Sequence, residues 1–157
     1  MAGDSPSTVY FQDLAGIARS REPSAADWVP VLAEIPLFSG LSKRHLRKVA
    51  SIGRLRRMGK HAQVVREGAR GDAFFVIVDG EAVVLAGDRR IRLGPGEYFG
   101  ELALLDDGPR TATVATETEV LLLEIPRTRF LKLVRDESSI SIAMLKELAV
   151  RLRGASH

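Results

Sequence analysis

Eight of the chain's 14 glycines fall between Gly68 and Gly108, and this density constrains the fold more than any other feature of the sequence. Glycine weakens helix interiors and serves tight reversals, so the stretch reads as short strands joined by sharp turns. Ala73–Val78 and Glu81–Leu85 are β-rich runs on either side of Asp79-Gly80, a pairing that predicts a hairpin. A second turn at Ala86–Arg89 leads into Arg90–Leu93, where Ile91 and Leu93 alternate with Arg90 and Arg92. Further strands are expected at Arg110–Ala115 and Glu119–Ile125. Strands at this spacing point to a roll, barrel or sandwich.

On both sides of this region the apolar period changes from two to that of a helix. Asp27 is placed to cap a short helix carrying Val31, Leu32 and Ile35, with Pro30 near its first turn. Leu37-Phe38-Ser39-Gly40-Leu41 interrupts it, and Ser42 caps a second helix with Leu46, Val49 and Ala50 on one face, ending near Gly53. After Pro126, Phe130, Leu133 and Val134 mark another helix. Ser138 or Ser139 then caps a last one carrying Ile140, Met144, Leu145, Leu148 and Leu152. The expected class is α+β: an antiparallel, jelly-roll-like β-roll flanked by N-terminal helices and two C-terminal helices. A chain of 157 residues has room for one domain. Residues 1–27 are expected to form a loosely ordered arm with one or two helical turns around Val9–Leu14, and 28–157 the domain.

Several chemistries are excluded by composition. With no cysteine there is no disulfide framework, thiol catalysis or thiolate metal site. The three histidines, His45, His61 and His157, match neither a cupin-like metal set nor a hydrolase triad, and no G-x-S-x-G elbow is present. Gly94–Gly100 approaches a dinucleotide fingerprint, but its last gap is one residue too long, and no phosphate-binding Walker loop exists. Glu101, Asp106 and Asp107 could be read as paired carboxylates, yet Asp106-Asp107-Gly108-Pro109 has the composition of a turn. No apolar run approaches the ~20 residues of a membrane span, and Met1–Pro6 has no secretory leader pattern. A soluble, cytoplasmic protein without resident cofactor or metal is expected.

Lys+Arg total 23 against 20 Asp+Glu, a surplus too small to announce nucleic-acid binding. No acid occurs from Ile35 to Arg66, however, while Lys43, Arg44, Arg47, Lys48, Arg54, Arg56, Arg57 and Lys60 are basic. This 43–60 stretch reads as a solvated helix face and a charge-guarded edge strand, with a docking face for an acidic partner, lipid headgroup or nucleic acid as the alternative.

The most informative run is Phe99-Gly100-Glu101-Leu102-Ala103-Leu104-Leu105-Asp106-Asp107-Gly108-Pro109-Arg110-Thr111-Ala112-Thr113-Val114. A glycine permits close backbone approach, a short helical run then presents free N–H groups, and an arginine returns ten residues after the glycine. Helix N-terminal amides and a guanidinium together suit a phosphate. Glu101 beside an anion site makes sense if the ligand also offers a hydroxyl donor.

This run resembles the phosphate-binding cassette of cyclic nucleotide-binding domains. The likeness extends to Ile35-Pro36-Leu37-Phe38 with Leu41, to Glu67-Gly68 and Asp72–Ile77, to Gly80 and to Gly94–Gly100, covering Trp28 to Arg153. The resemblance implies a non-catalytic receptor for cyclic AMP, with cyclic GMP as the alternative ligand. Amides around Gly100, Leu102 and Ala103, with the Arg110 guanidinium, would hold the cyclic phosphate, and Glu101 would accept from the ribose 2′-hydroxyl. Thr111, with Ala112 beside it, would face the phosphate or a purine edge, and Val84 and Ile91 would line the base pocket. Arg151, or else Leu148 or Leu152, would cover the base from the last helix. Ligand would draw in the cassette, the helix of Phe130 would repack, and the last helix would close, signalling to an effector not written in the sequence. The helix-turn-helix that catabolite-type activators carry after this helix has no room before His157, so sequence-specific DNA reading is not expected. Two alternatives stand beside this reading: the cytosolic gating domain of a cyclic nucleotide-gated channel, and a partner-binding module with a vestigial pocket.

Overall fold

The computed structural model describes residues 6–155; the expectations for the first five residues and for His157 lie outside them. In chain order the elements are α1 (Pro6–Ser20), α2 (Ala25–Ala33), a 3-10 turn (Pro36–Phe38) and α3 (Lys43–Ser51). The strands follow as β1 (Arg54–Met58), β2 (Gln63–Val65), β3 (Ala73–Asp79), β4 (Ala82–Ala86), β5 (Arg89–Leu93) and β6 (Tyr98–Phe99). A second 3-10 turn (Glu101–Leu104) precedes β7 (Thr113–Thr116) and β8 (Val120–Pro126), and α4 (Arg127–Asp136) and α5 (Ser138–Ala155) close the described chain. The α+β class is as expected: two four-stranded antiparallel sheets, ordered β1-β8-β3-β6 and β2-β7-β4-β5, lie between N-terminal and C-terminal helices.

The first sheet is covered on both faces, which explains why β3 and β8 are apolar almost throughout. Phe74, Val76, Val78, Leu121, Leu123 and Ile125 point into the core shared with the helices. Ala73, Phe75, Ile77, Val120 and Leu122 point into the core between the sheets. Period-two geometry sends alternate residues to opposite sides, so neither face of these strands is free to be polar. The exception is Glu124, buried on β8 and held by Arg54 and Arg56 of the neighbouring β1.

Several local expectations are corrected. The Asp79-Gly80 signal is not a hairpin, because β3 pairs with β8 and β6 while β4 pairs with β5 and β7. The chain crosses between sheets there, with Gly80 at φ 90 and a Cβ position only 2.2 Å from Glu119 O. The two-residue turn at Gly87-Asp88 is a hairpin, pairing Ala86 with Arg89. The supposed loose arm contains α1, whose Phe11, Leu14, Ala15 and Ala18 are buried in the helical core. Asp27 does not cap α2: Ser24 holds that place and Asp27, one turn in, accepts from Ser24 N at 2.8 Å. Ser42 caps α3 as expected, accepting from His45 N.

The basic 43–60 stretch divides between α3 and the edge strand β1. Lys48 pairs with Glu137, Arg54 and Arg56 hold Glu124, and Arg57 donates to Ala18 O at the end of α1. On α5 only the early positions are core. Ile140 and Met144 are buried, whereas Leu145, expected on the same stripe, is 64% exposed because it lies about 100° round the helix from Met144. Leu152, on the i, i+4 row of Met144 and Leu148, is 72% exposed because the core does not reach that end of the helix. Ser139, offered as a cap of α5, instead places its hydroxyl 3.0 Å from His45 Nε2 on α3.

Candidate ligand-binding site

The site is assembled where the short β6 runs into the second 3-10 turn. Only two residues long, β6 pairs with β3 and is fixed by Phe99 stacked on Phe75, ring centroids 5.2 Å apart. Gly100 then turns left-handed, φ 80 and ψ 19. An added Cβ would stand 2.5 Å from Arg110 Nη1 and 3.2 Å from Ala73 O, so only glycine lets the backbone lie against the guanidinium. Ala103 and Leu104 are buried and anchor the turn, leaving Leu102 and Leu105 outside.

The following loop is strapped to the segment before β3. Arg110 N donates to Ala69 O (2.7 Å), Gly68 N to Arg110 O (2.8 Å) and Gly71 N to Gly108 O (3.2 Å). Arg70 pairs with Asp107, and Asp106 Oδ1 accepts from Gly108 N at 3.0 Å, so these acids are structural parts of the turn. The straps fix Arg110. Its side chain is only 8% exposed, with Nη2 donating to Ala73 O at 2.8 Å. Its acidic neighbour Asp72 is 3.6 Å away and 89% exposed. Burial pushes the guanidinium pKa down, only partly offset by Asp72, and burial pushes the Glu101 carboxyl up. A buried cation paired mainly with a neutral carbonyl retains attraction for an anion.

Gly100, Glu101, Leu102, Ala103, Arg110 and Thr111 converge on one cleft of about 340 Å³. Ala112 continues from Thr111 into β7. Val84 and Ile91 face one another across the β4–β5 pair, with Val84 also opposite Val114 of β7, but they do not line this cleft. The Ala103 N–H donates to Gly100 O at 3.0 Å, so this amide, expected to be free, is occupied within the turn. Arg151 is elsewhere, bonded to Pro36 O and Ser39 Oγ. Leu148 packs partly against the helical core and Leu152 is exposed. Gly71, Asp106, Gly108 and Pro109 also line the cleft. The short return from Gly108 to Arg110 in the sequence already carried the loop, whereas Gly71 had no local signal, because it meets the site only through the strap to Gly108.

The roll thus sets the largely buried Arg110 guanidinium against the left-handed Gly100, with Glu101 lining the same cleft. Among the described residues no cluster of potential metal ligands occurs. Residues 55–137 match the family described as the cyclic nucleotide-binding domain, and the chain belongs to that family. It is 36% identical over 135 residues to a cyclic nucleotide-gated potassium channel of Rhizobium etli, covering 85% of this chain and 37% of the channel. It is 33% identical over 144 residues to a cAMP-dependent protein kinase regulatory subunit of Aspergillus fumigatus, covering 85% of this chain and 34% of the subunit. The chain thus spans about a third of the length of these curated relatives. Among solved structures, the N-terminal domain of a transcriptional regulator from Streptomyces coelicolor superposes with a TM-score of 0.71 at 30% identity, covering 80% of this chain and 94% of that one.

Proposed function

We propose that the chain is a non-catalytic receptor module that binds cyclic AMP in the cleft at Gly100–Thr111 and signals by movement of α5. The observation that carries this reading is the buried, under-compensated Arg110 guanidinium held against Gly100 and facing the same cleft as Glu101. An anion at Arg110 and a hydroxyl donor at Glu101 are the two ends of a ribose cyclic phosphate. Cyclic GMP presents the same two ends, so the choice between them rests on Thr111 and the purine edge.

A path from the cleft to the helices supports the proposed output. Tyr98, two residues before Gly100, meets Phe74 edge to face at 5.8 Å; Phe74 meets Phe38 at 6.0 Å, and Phe38 meets Phe130 of α4 at 6.1 Å. Phe74, Phe38 and Phe130 are fully buried, so displacement at one end must be accommodated along the row. The channel relatives favour a second form of the same reading, in which the module is a channel's gating domain and the effector is a pore. Membrane spans encoded in the same gene would decide for that form. No described helix is long and apolar enough to be one.

Ligand titration followed by melting tests the proposal. A ligand that binds only the folded state, at 100 times its dissociation constant, adds about 2.7 kcal/mol. For a domain of this size that is roughly 5–11 °C in Tm. Cyclic AMP is expected to give this shift and linear 5′-AMP much less. Arg110→Ala should weaken calorimetric binding by about 2–5 kcal/mol, since a desolvated phosphate loses its counter-charge. Equal shifts from cyclic and linear nucleotides would overturn the assignment.

A further inference from the structure

We infer that Arg151 is a latch that holds α5 away from the cleft, rather than a cover for the base. Past Met144 the apolar anchorage of the helix is reduced to the partly buried Leu148, while Leu145, Val150 and Leu152 are all exposed. Besides Leu148, what fastens this half is a small polar contact set against the turn 36–40. Arg151 Nη2 donates to Pro36 O at 3.2 Å and to Ser39 Oγ at 3.4 Å, while Nε lies 3.3 Å from Glu147 Oε2 one turn earlier on the same helix. The carboxylate of Glu147 thereby orients the guanidinium towards the turn. Gly40 is the seat for this contact, since an added Cβ would stand 3.3 Å from Ala143 O and 3.4 Å from Glu147 Cβ.

The latch closes on the element that the aromatic row already connects to the cleft. Pro36–Phe38 carries Phe38, which touches both Phe74 and Phe130. Among the described residues no α5 side chain lines the cleft, so the latched arrangement is an open one. Pro36 and Ser39 lie outside the cleft, so α5 cannot swing to it while Arg151 remains bonded to them. Closure of α5 over a ligand must therefore break the latch, and the apparent affinity carries the cost of doing so. The inference rests on the receptor reading above, but the anchoring itself can be tested without ligand.

Wild-type chain, Arg151→Ala and Glu147→Gln are compared in two assays. In the first, cyclic AMP is titrated calorimetrically; loss of the latch should tighten binding about 2- to 10-fold for Arg151→Ala, and less for Glu147→Gln, because the open state is no longer favoured. In the second, amide hydrogen exchange is followed without nucleotide, and amides 145–153 should exchange about 2- to 10-fold faster in Arg151→Ala, with those of β3 and β8 unchanged. Weaker cyclic AMP binding by Arg151→Ala would overturn the latch in favour of a cover over the base. Unchanged exchange in 145–153 would overturn it as well, leaving a solvated helix residue. If no variant binds cyclic AMP, the receptor reading fails, and faster exchange in Arg151→Ala would still support the latch as the anchor of α5.

Discussion

Replacing Gly100 with alanine tests the geometry of the cleft most directly. A non-glycine residue at φ 80 costs about 1–2 kcal/mol for the left-handed backbone alone. The new methyl would lie 2.5 Å from Arg110 Nη1, against an optimum of about 3.5–4.0 Å for carbon contacts. On its other side Ala73 O is only 3.2 Å away and belongs to β3, a strand paired on both edges, so the guanidinium is the group that gives way. Its movement breaks the 2.8 Å bond to Ala73 O, and a hydrogen bond to a charged group contributes about 1.5–3 kcal/mol. The expected loss of stability is therefore about 2.5–5 kcal/mol, or roughly 5–20 °C in Tm. Urea unfolding followed by circular dichroism should show an earlier midpoint with an unchanged slope. Gly94→Ala is the control: nothing lies within 4 Å of its Cβ position, and stability should stay within about 0.5 kcal/mol. Cyclic AMP binding should fall with the displaced Arg110. A Gly100→Ala chain that unfolds like the parent, or that loses stability yet binds cyclic AMP undiminished, would refute the argument that this glycine positions the guanidinium.

Two further outcomes follow from single residues. Burial raises the Glu101 pKa on folding, so its contribution to stability is present below the ordinary carboxyl value and lost as pH rises through the raised one. Glu101→Gln, which cannot ionise, should thus melt higher than the parent at neutral pH and converge with it towards acid, while calorimetry shows discrimination against 2′-deoxy cyclic AMP eroding. Gly80→Ala should cost about 2–5 kcal/mol in urea unfolding, from the left-handed backbone and the collision with Glu119 O and Val120 Cγ1 where the chain changes sheets.

Local chemistry made much of this protein legible before its structure. Left-handed glycines, cap residues and apolar periods act over a few residues, so the cassette run, the α3 cap and most strand positions follow from neighbours in sequence. The convergence of Gly100, Glu101 and Arg110 was readable for the same reason: one loop carries all three. Tertiary structure decided what depends on distant partners. Asp79-Gly80 has the residues of a hairpin, but β3 is apolar on both faces and is satisfied only between β8 and β6, so the chain must leave the sheet there. Residues 1–27 look loose because α1 has only a weak stripe, yet Phe11, Leu14 and Ala18 are covered by strands and helices from the rest of the chain. The position of Arg151 was equally beyond the sequence. A long flexible cation on an exposed turn of helix goes where acceptors are, and Pro36 O and Ser39 Oγ, more than 100 residues earlier, are brought within reach only by the packing of α5 on Gly40.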